Sequence, residues 1–115
     1  MKAGKVWGDT TNLITTPLIE VHKINIDPGF VCSMHKHEHK WNMFYVLEGT
    51  LAIEVQKGDY DLTDTTTLKK GEWTSVKPGE FHRFKSLDEP VEALEIYYLS
   101  PLTADIVRQN VGGNA

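Results

Sequence analysis

Residues 29–49 read GFVCSMHKHEHKWNMFYVLEG and contain three of the five histidines in the chain. His35, His37 and His39 alternate along this stretch, so on an extended strand their side chains leave from one face. Imidazoles on one face can converge on a single ion. The pattern therefore predicts a metal site built on a β-strand.

A second stretch, residues 77–82 with the sequence KPGEFH, supplies a distant partner for these histidines. A proline–glycine turn there leads into a strand that begins by presenting His82. A metal site usually combines neighbouring ligands with a remote one, because one short segment cannot surround a cation. The predicted ligands are His35, His37 and His82. Three neutral imidazoles suit a divalent Zn, Fe, Mn, Ni or Co ion and leave positions open for water or substrate.

The spacing of the first stretch resembles the first sequence motif of the cupin superfamily. That motif places a glycine, a His-X-His pair, usually a glutamate, and a second glycine at set intervals. Gly29, His35, His37 and Gly49 fall on this spacing, and Asn42 occupies the position of the glutamate. The resemblance implies that the histidine pair binds metal and that the usual carboxylate ligand is missing.

Residues 71–86 resemble the second cupin motif, with Gly71, Gly79 and His82 in the matching places. The two motifs occur in the family's order and about the family's distance apart. The resemblance covers roughly residues 20–100. It implies a jelly-roll barrel that holds a metal ion on the histidines of both motifs.

Two residues compete for the place of a fourth metal ligand. Strand alternation aims His39 with His35 and His37, yet residues 38–41 are polar and are expected to turn the chain, which would leave His39 exposed or beside the ligands. Asn42 can offer one amide oxygen, which is neutral and a weaker donor than a carboxylate. Without a carboxylate the ion keeps its full positive charge, so a bound anion is favoured. This suits an acidic or phosphorylated substrate.

Length, charge and the single cysteine restrict the class of protein. The chain has 115 residues, enough for one domain, and its net charge of −4 comes with no basic stripe of the kind that binds nucleic acid. Its apolar runs are too short to cross a bilayer, and residues 1–5 lack the apolar core of a secretory signal, so we expect a cytoplasmic protein without membrane contact. Cys32 has strand parity opposite to His35 and His37, so we expect a small packed or exposed side chain.

Short β-compatible runs separated by turn residues predict an all-β fold. Residues 1–17 are expected to form an irregular or edge-strand arm anchored by Trp7, and residues 18–100 the barrel. Residues 101–115 are expected to form a tail with a short helical turn at 103–111. The expected strands are residues 19–26, 30–37, 42–47, 50–56, 60–68, 73–76, 81–85 and 91–99, with a short hairpin joining the third to the fourth. Together with the cupin resemblance, this predicts a small antiparallel jelly-roll β-barrel.

Short matches across nearly the whole chain resemble one cupin subgroup, the cupin domain of type II mannose-6-phosphate isomerases. Examples are VWG at residues 6–8 and DIVR at residues 105–108. This weaker resemblance implies an isomerase or epimerase acting on a sugar or sugar phosphate. In such an enzyme a metal ion polarises the reacting oxygens while a side chain moves a proton. The candidate proton carriers are His22, Glu95 and Glu54.

Other functions and assemblies stay open. Similar three-histidine cupins are mononuclear iron dioxygenases, and a cupin of this size can also bind or sense a small molecule without catalysis. His22 shares a strand face with Ile24 and Ile26, so it either lines the pocket or is a hydrogen-bonded core residue. An exposed edge strand and an apolar outer sheet face would favour a homodimer, as the family resemblance also implies.

Overall fold

The computed structural model describes residues 1–58 and 62–115, and these form nine β-strands and no helix. The strands are β1 Lys2–Lys5, β2 Gly8–Thr15, β3 Ile19–Ile26, β4 Trp41–Glu48, β5 Leu51–Lys57, β6 Leu62–Leu68, β7 Trp73–Val76, β8 His82–Ser86 and β9 Val91–Tyr98. They make two antiparallel sheets, one in the order β1-β2-β3-β9-β4-β7 and one in the order β6-β5-β8. The all-β, antiparallel barrel predicted from the sequence is confirmed. In the described part of the chain, no helix is long and apolar enough to cross a membrane.

The barrel interior has two chemically different ends. Because side chains alternate along a strand, one row of each strand points inward. Ile24 lies opposite Ala93 and Ala93 opposite Val46, and all three are fully buried. Two residues further along the same two strands, the inward pair is His22 and Glu95. The apolar end consists of Ile24, Ile26, Phe44, Val46, Leu51, Ile53, Phe84, Val91 and Ala93. The polar end consists of His22, His35, His37, Asn42, His82, Glu95 and Tyr97.

The predicted hairpin at Gly49 is wrong, because the chain there passes from one sheet to the other. β4 pairs with β7 and β9, whereas β5 pairs with β6 and β8. Gly49 has φ +86°, and a Cβ on it would lie 2.5 Å from the carbonyl oxygen of Pro90. Only glycine allows both this backbone conformation and this close approach. The corner therefore closes the barrel instead of joining two neighbouring strands.

The predicted strand at residues 30–37 is wrong as a regular strand. The segment makes only two isolated bridges to β8, Val31 with Lys85 and His35 with His82. From Val31 to His35 the segment advances four residues, whereas β8 advances only three between their partners. The segment therefore holds one extra residue, which interrupts the ladder of backbone hydrogen bonds between the two. The extra residue also changes the direction in which the Cys32 side chain points. Cys32 is 7% exposed and borders the same cavity as His35. It is packed, as expected, but it does not face away from the histidines.

The N-terminal arm takes the edge-strand form, one of the two forms expected for it. It forms β1 and β2, and β2 pairs with β3 along nearly its whole length. Trp7 lies at the tip between β1 and β2, where its carbonyl oxygen accepts a hydrogen bond from the Asp27 amide at 2.8 Å. Its ring packs edge-on against Phe84 with ring centroids 4.9 Å apart. Trp7 therefore connects the six-stranded sheet to β8, as an anchor would.

The tail lacks the predicted helical turn. Residues 101–115 are exposed and follow no helical or strand pattern. A single helical turn is costly to nucleate, and nothing in the described part of the chain packs against its apolar side chains. The predicted strand at residues 60–68 begins outside the described residues, and β6 starts at Leu62. The other predicted strands are present with small shifts at their ends.

Candidate metal centre

Three histidines from the two predicted motifs meet at the polar end of the barrel. His35 and His37 come from the irregular segment, and His82 is the first residue of β8. His35 and His82 exchange backbone hydrogen bonds of 3.0 and 2.8 Å, which fixes the two motifs to each other. One ligand nitrogen from each histidine lies within 4.8 Å of the other two. The three imidazoles could therefore hold one metal ion.

Backbone carbonyls decide which ring nitrogens are free to bind metal. His35 Nδ1 lies 2.7 Å from the Ser33 carbonyl oxygen, and His82 Nδ1 lies 2.9 Å from that of Glu80. A carbonyl can only accept, so each Nδ1 carries the proton and donates it. The Nε2 atoms of both rings then keep a lone pair. Metal-binding histidines are commonly oriented by such a bond from the other ring nitrogen.

Two buried polar atoms at this site have no hydrogen-bond partner in the described part of the chain. They are His37 Nε2 and Asn42 Nδ2. Buried polar atoms are nearly always paired, so an unpaired imidazole nitrogen facing two others indicates a place for a ligand. A cation held by the three rings would satisfy His37 Nε2. The donor set present therefore fits a divalent transition metal.

Asn42 lies beside His82 and could offer an oxygen to the same ion. Its side chain is fully buried, and Oδ1 lies 3.0 Å from His82 Nε2. Since His82 donates from Nδ1, both of these atoms present lone pairs. A cation held by His82 Nε2 would therefore lie within reach of the Asn42 oxygen. Rotating the amide by 180° would instead give His82 Nε2 a donor and would remove the oxygen from the site.

Burial keeps His37 and His82 neutral. Together with the neighbouring His35 and His82, burial lowers the pKa of His37 to about 4. Burial also lowers the pKa of His82. A histidine must be unprotonated at the nitrogen that binds a metal. At neutral pH both side chains are therefore in the form that a metal requires.

A cavity of about 500 Å³ opens beside His35. It lies between the tip of the β1–β2 hairpin and residues 31–33, and its wall includes His22, His35, Glu95 and Tyr97. Burial raises the pKa of Glu95, which is 8% exposed. Burial and the nearby Glu95 raise the pKa of Tyr97 as well. The cavity thus presents a buried carboxyl, a phenol and an imidazole next to the candidate metal ligands.

Of the other predicted site residues, His22 lies at the cavity, whereas His39 and Glu54 lie away from the three histidines. His22 lines the cavity and is half-buried, and its Nε2 also bonds Glu20 Oε2 at 3.1 Å. His39 is exposed and is not brought to the other three histidines. The structure does not bring Glu54 to them either. Its cross-strand partner on β8 is Arg83, whereas its neighbour Ile53 points into the core.

The environment of Glu54 explains why it is not part of the cavity. Its carboxylate pairs with Arg83 at 3.1 Å and Lys85 at 3.2 Å on the outer face of the small sheet. Burial raises the pKa of Glu54, but hydrogen bonds from Lys85 and Arg83 outweigh it, so the pKa lies below its ordinary value. The alternation of β5 already places Glu54 on the face opposite Ile53. Sequence reasoning could have excluded it.

Sequence reasoning missed the contribution of the N-terminal hairpin to the cavity. Lys5 and Thr10 line it together with Trp7. Residues 1–17 have no clear periodicity, so nothing in their sequence indicates that β2 would extend the sheet beside His22. The pairing of Thr10 with Ile24 and Asn12 with His22 shows that it does.

The comparison with protein families agrees with the fold. A family model described as a cupin domain matches residues 22–97. The chain belongs to this family. The cupin domain is 29% identical over 100 residues to mannose-1-phosphate guanylyltransferase of Klebsiella pneumoniae, covering 86% of this chain and 20% of that protein. It is 29% identical over 109 residues to the xanthan biosynthesis protein XanB of Xanthomonas campestris pv. campestris, covering 93% of this chain and 22% of that protein. The chain therefore spans about a fifth of these relatives.

Solved structures share the fold of this cupin at low sequence identity. KdgF from Halomonas sp. aligns with a TM-score of 0.69 and 17% identity over 81% of this chain and 79% of that one. Oxalate decarboxylase of Bacillus subtilis, studied for its Mn(II) centres, aligns with a TM-score of 0.76 and 13% identity over 90% of this chain and 28% of that one. These similarities support the barrel, and the second one concerns a cupin that contains Mn(II).

Proposed function

We propose that this cupin binds a divalent metal and acts on a small polar or anionic molecule in its cavity, as an isomerase or epimerase of a sugar or sugar phosphate. The observation that supports this most is the meeting of three imidazoles, one of which, His35, lines a cavity whose wall also carries a buried carboxyl group. The likeness to a protein that handles mannose 1-phosphate supports the choice of substrate.

The cavity residues can manage the proton that such a reaction moves. An aldose–ketose interconversion takes a proton from one carbon and returns a proton to its neighbour, so the enzyme needs a group that can hold a proton near neutral pH. Burial raises the pKa of Glu95 toward that range. His22 is its cross-strand partner and lines the same cavity. We propose Glu95 as the proton carrier and His22 as its neighbour on the substrate side.

The metal would be held by His35, His37 and His82, with the Asn42 oxygen as a fourth ligand. When bound, it supplies a positive charge that polarises the carbonyl and hydroxyl oxygens of a sugar. All four donors are neutral, so the charge of the ion is left for the substrate. A substrate that carries a phosphate or carboxylate would balance it.

The distribution of cations also supports an anionic substrate. Lys23, Lys36 and Arg83 are each paired with a carboxylate, and Arg108 lies in the exposed tail. Lys5 lines the cavity, and Lys40 lies with its Nζ 5.4 Å from the centre of the Tyr97 ring. Neither forms an ion pair with a carboxylate of residues 1–58 or 62–115. These two lysines are therefore available to contact a phosphate.

A solvent-exchange experiment tests the proposal. The protein is stripped with a chelator, reloaded separately with Zn, Mn, Ni, Co or Fe, and incubated in D₂O with mannose 6-phosphate or fructose 6-phosphate. We expect deuterium to enter C1 or C2, detected by NMR, in the wild type and in His39→Ala. Glu95→Gln should bind metal as tightly as the wild type but exchange at least 100-fold more slowly.

Two outcomes would favour another function. The same three-histidine set suits the alternative of a mononuclear iron dioxygenase, which would consume O₂ only in the iron-loaded form and only with substrate present. A protein that binds metal and a sugar phosphate but shows neither exchange nor O₂ uptake would be a non-catalytic binding cupin. Either result would contradict the isomerase.

A further inference from the structure

β3 and β9 carry a block of four polar side chains on one face, at the polar end of the barrel. Glu20 lies opposite Tyr97 and His22 lies opposite Glu95, so the block consists of two neighbouring cross-strand pairs. His22, Glu95 and Tyr97 line the cavity of about 500 Å³. Glu20 instead borders a separate, smaller pocket together with Lys40. Glu20 is therefore next to the residues of the cavity without being part of its wall.

Glu20 holds the ring of His22 by one nitrogen. Glu20 Oε2 lies 3.1 Å from His22 Nε2, and the Glu20 and His22 side chains are 35% and 18% exposed. The hydrogen bond from His22 lowers the pKa of Glu20 by more than burial raises it, so Glu20 is ionised at neutral pH. A carboxylate can only accept a hydrogen bond. His22 Nε2 therefore carries a proton and donates it to Glu20.

The other ring nitrogen of His22 is the one at which a proton can be exchanged. Nε2 keeps its proton in both the neutral and the protonated ring, so the ring gains or loses a proton at Nδ1. Among the residues that the structure describes, none forms a hydrogen bond with His22 Nδ1, and this atom is not one of the two buried unpaired atoms. Nδ1 is therefore accessible. Because His22 lines the cavity, a molecule in the cavity could exchange a proton with it.

The ring of His22 is held from a second side by Tyr97. The two ring centroids lie 5.8 Å apart, and the rings meet edge to face at an angle of 79°. A side chain that is hydrogen-bonded at one atom and packed against an aromatic neighbour is locked in one orientation, as a catalytic group needs to be. His22 is therefore prepared to present Nδ1 in one direction.

An aldose–ketose interconversion moves two protons. One leaves C2 and arrives at C1, and the electron pair of the C2–H bond forms the double bond of an enediol on the way. The other leaves the hydroxyl oxygen on C2 and arrives at the oxygen on C1, as the carbonyl group moves from C1 to C2. Glu95 is the proposed carrier of the first proton. The second needs a group that accepts it from one oxygen and returns it to the other, so that the protein ends in its starting state.

We infer that His22 carries this second proton on Nδ1, and that Glu20 is the positioning residue that makes Nδ1 the exchanging atom. The inference rests on the proposed isomerase activity, and it divides the reaction between Glu95 for the carbon proton and His22 for the oxygen proton. A carboxylate in this position also stabilises the positive charge that the imidazole gains while it holds the proton. Glu20 contacts no substrate and acts through His22.

Long-range ¹H–¹⁵N correlation NMR of the intact, ¹⁵N-labelled chain with zinc added tests the positioning role, because it distinguishes protonated from unprotonated ring nitrogens without any turnover. The His22 signals are identified by their absence from His22→Gln. In the wild type, we expect neutral His22 to carry its proton on Nε2. Glu20→Lys provides a donor that cannot accept, so the proton should move to Nδ1. Glu89→Lys makes the same charge change at an exposed residue before β9 and should leave the tautomer unchanged.

Hydrogen exchange and sugar conversion, measured together, test the catalytic role. Mannose 6-phosphate is incubated in D₂O with the metal form that supports turnover, and NMR gives both the deuterium in the recovered sugar and the conversion to fructose 6-phosphate. Exchange into recovered sugar needs only the carbon proton to leave and return, whereas conversion also needs the oxygen proton to move. Glu20→Lys should slow conversion at least about 10-fold and exchange less than about threefold. Glu89→Lys should change neither rate.

Glu20→Gln keeps the size of the side chain and separates positioning from folding. Its amide can donate or accept, so both tautomers of His22 should appear, and the ratio of exchange to conversion should rise by less than in Glu20→Lys. The inference is overturned by a wild type in which the His22 proton lies on Nδ1, by a tautomer that both Glu20 variants leave unchanged, or by equal slowing of exchange and conversion.

Failure of the proposed function gives a different result. A wild type that neither exchanges nor converts the sugar would overturn both the isomerase and the role of His22 in it. The NMR spectra alone would then decide whether Glu20 positions the ring.

Discussion

The two ends of the barrel interior are built on the same strands but perform different tasks. Along β3 the inward side chains change from Ile26 and Ile24 to His22, and along β9 they change from Val91 and Ala93 to Glu95. The apolar end contains only side chains that gain by leaving water. The polar end gathers imidazoles, an amide and a carboxyl group beside an open cavity.

The difference indicates which end stabilises the protein and which end is retained for function. A buried polar atom without a partner costs about 1–3 kcal/mol. The polar end contains two of them, His37 Nε2 and Asn42 Nδ2, among the described residues. The apolar end must offset this cost, and the predictions below test the division, from the largest expected change to the smallest.

A substitution at the apolar end should reduce stability without affecting metal binding. Ile24 is fully buried, so Ile24→Ala removes buried methyl groups and leaves a cavity, and the free energy of unfolding should fall by about 2–5 kcal/mol. Urea denaturation measures this. Ile106→Ala makes the same change at a residue that is 65% exposed, and it should alter stability by less than about 0.5 kcal/mol. Comparable losses in both variants would contradict the assignment of the core.

A substitution at the polar end should weaken metal binding without reducing stability. His37→Ala removes a candidate ligand and should lower zinc affinity at least 100-fold, close to 3 kcal/mol, in competition titrations with a chelating dye. It also removes an unpaired buried nitrogen, so the metal-free protein should be as stable as the wild type or more stable.

His39→Ala is the matched control for this change. His39 is exposed and lies outside the cluster, so its removal should leave zinc affinity within about threefold. Equal losses in His37→Ala and His39→Ala would show that the affinity comes from a histidine-rich loop and not from the three converging rings.

The stability of the metal-free protein should depend on pH through His37. Burial lowers its pKa from 6.5 to about 4 in the folded state, so the unfolded chain binds the proton more readily. The stabilising contribution of neutral His37 is therefore complete above pH 6.5 and is lost as the pH falls from 6.5 toward 4. The loss should be about 1–2 kcal/mol, less than the full shift implies because the ring is only partly buried.

Glu95 has the opposite effect on the pH dependence of stability. The measurement must therefore separate the contribution of His37 from that of Glu95. Burial raises its pKa, so its contribution to stability falls as the pH rises above 4.5, where the unfolded carboxyl group ionises. Urea denaturation of the wild type and His37→Ala in EDTA, from pH 7 to 4.5, isolates the histidine as the difference between the two curves. A constant difference would show that His37 does not titrate on unfolding.

Much of the division between the apolar end and the polar end of the barrel could be predicted from the sequence. The alternation of apolar residues predicted β3, and the turns on either side predicted β7, with the bounds that the structure has, residues 19–26 and 73–76. The spacing of two histidines before a distant third predicted the cluster at His35, His37 and His82. Such local patterns can be recognised because strand geometry fixes which residues share a face.

The remaining features depend on contacts between distant residues. One extra residue in the segment before His35 brings Cys32 to the same side, and no local pattern predicts where a ladder is interrupted. The corner at Gly49 requires the approach of Pro90, which lies 41 positions later in the chain. His39 obeys the same alternation as His35 and His37, but the chain turns before reaching it.

The smallest expected effect concerns Asn42, which occupies the boundary between the two ends. Asn42→Asp keeps the shape of the side chain and replaces a neutral amide by a carboxylate. If the oxygen is a metal ligand, the negative charge should raise zinc affinity about tenfold, near 1.4 kcal/mol, while the metal-free protein loses stability because the side chain is fully buried. Asn110→Asp, in the exposed tail, should change neither quantity. A gain in zinc affinity together with a loss of stability is informative. If Asn42 only filled space, the substitution would lower stability without improving zinc binding. An unchanged or weaker affinity in Asn42→Asp would restrict the site to three histidines and would return the fourth position to water or substrate.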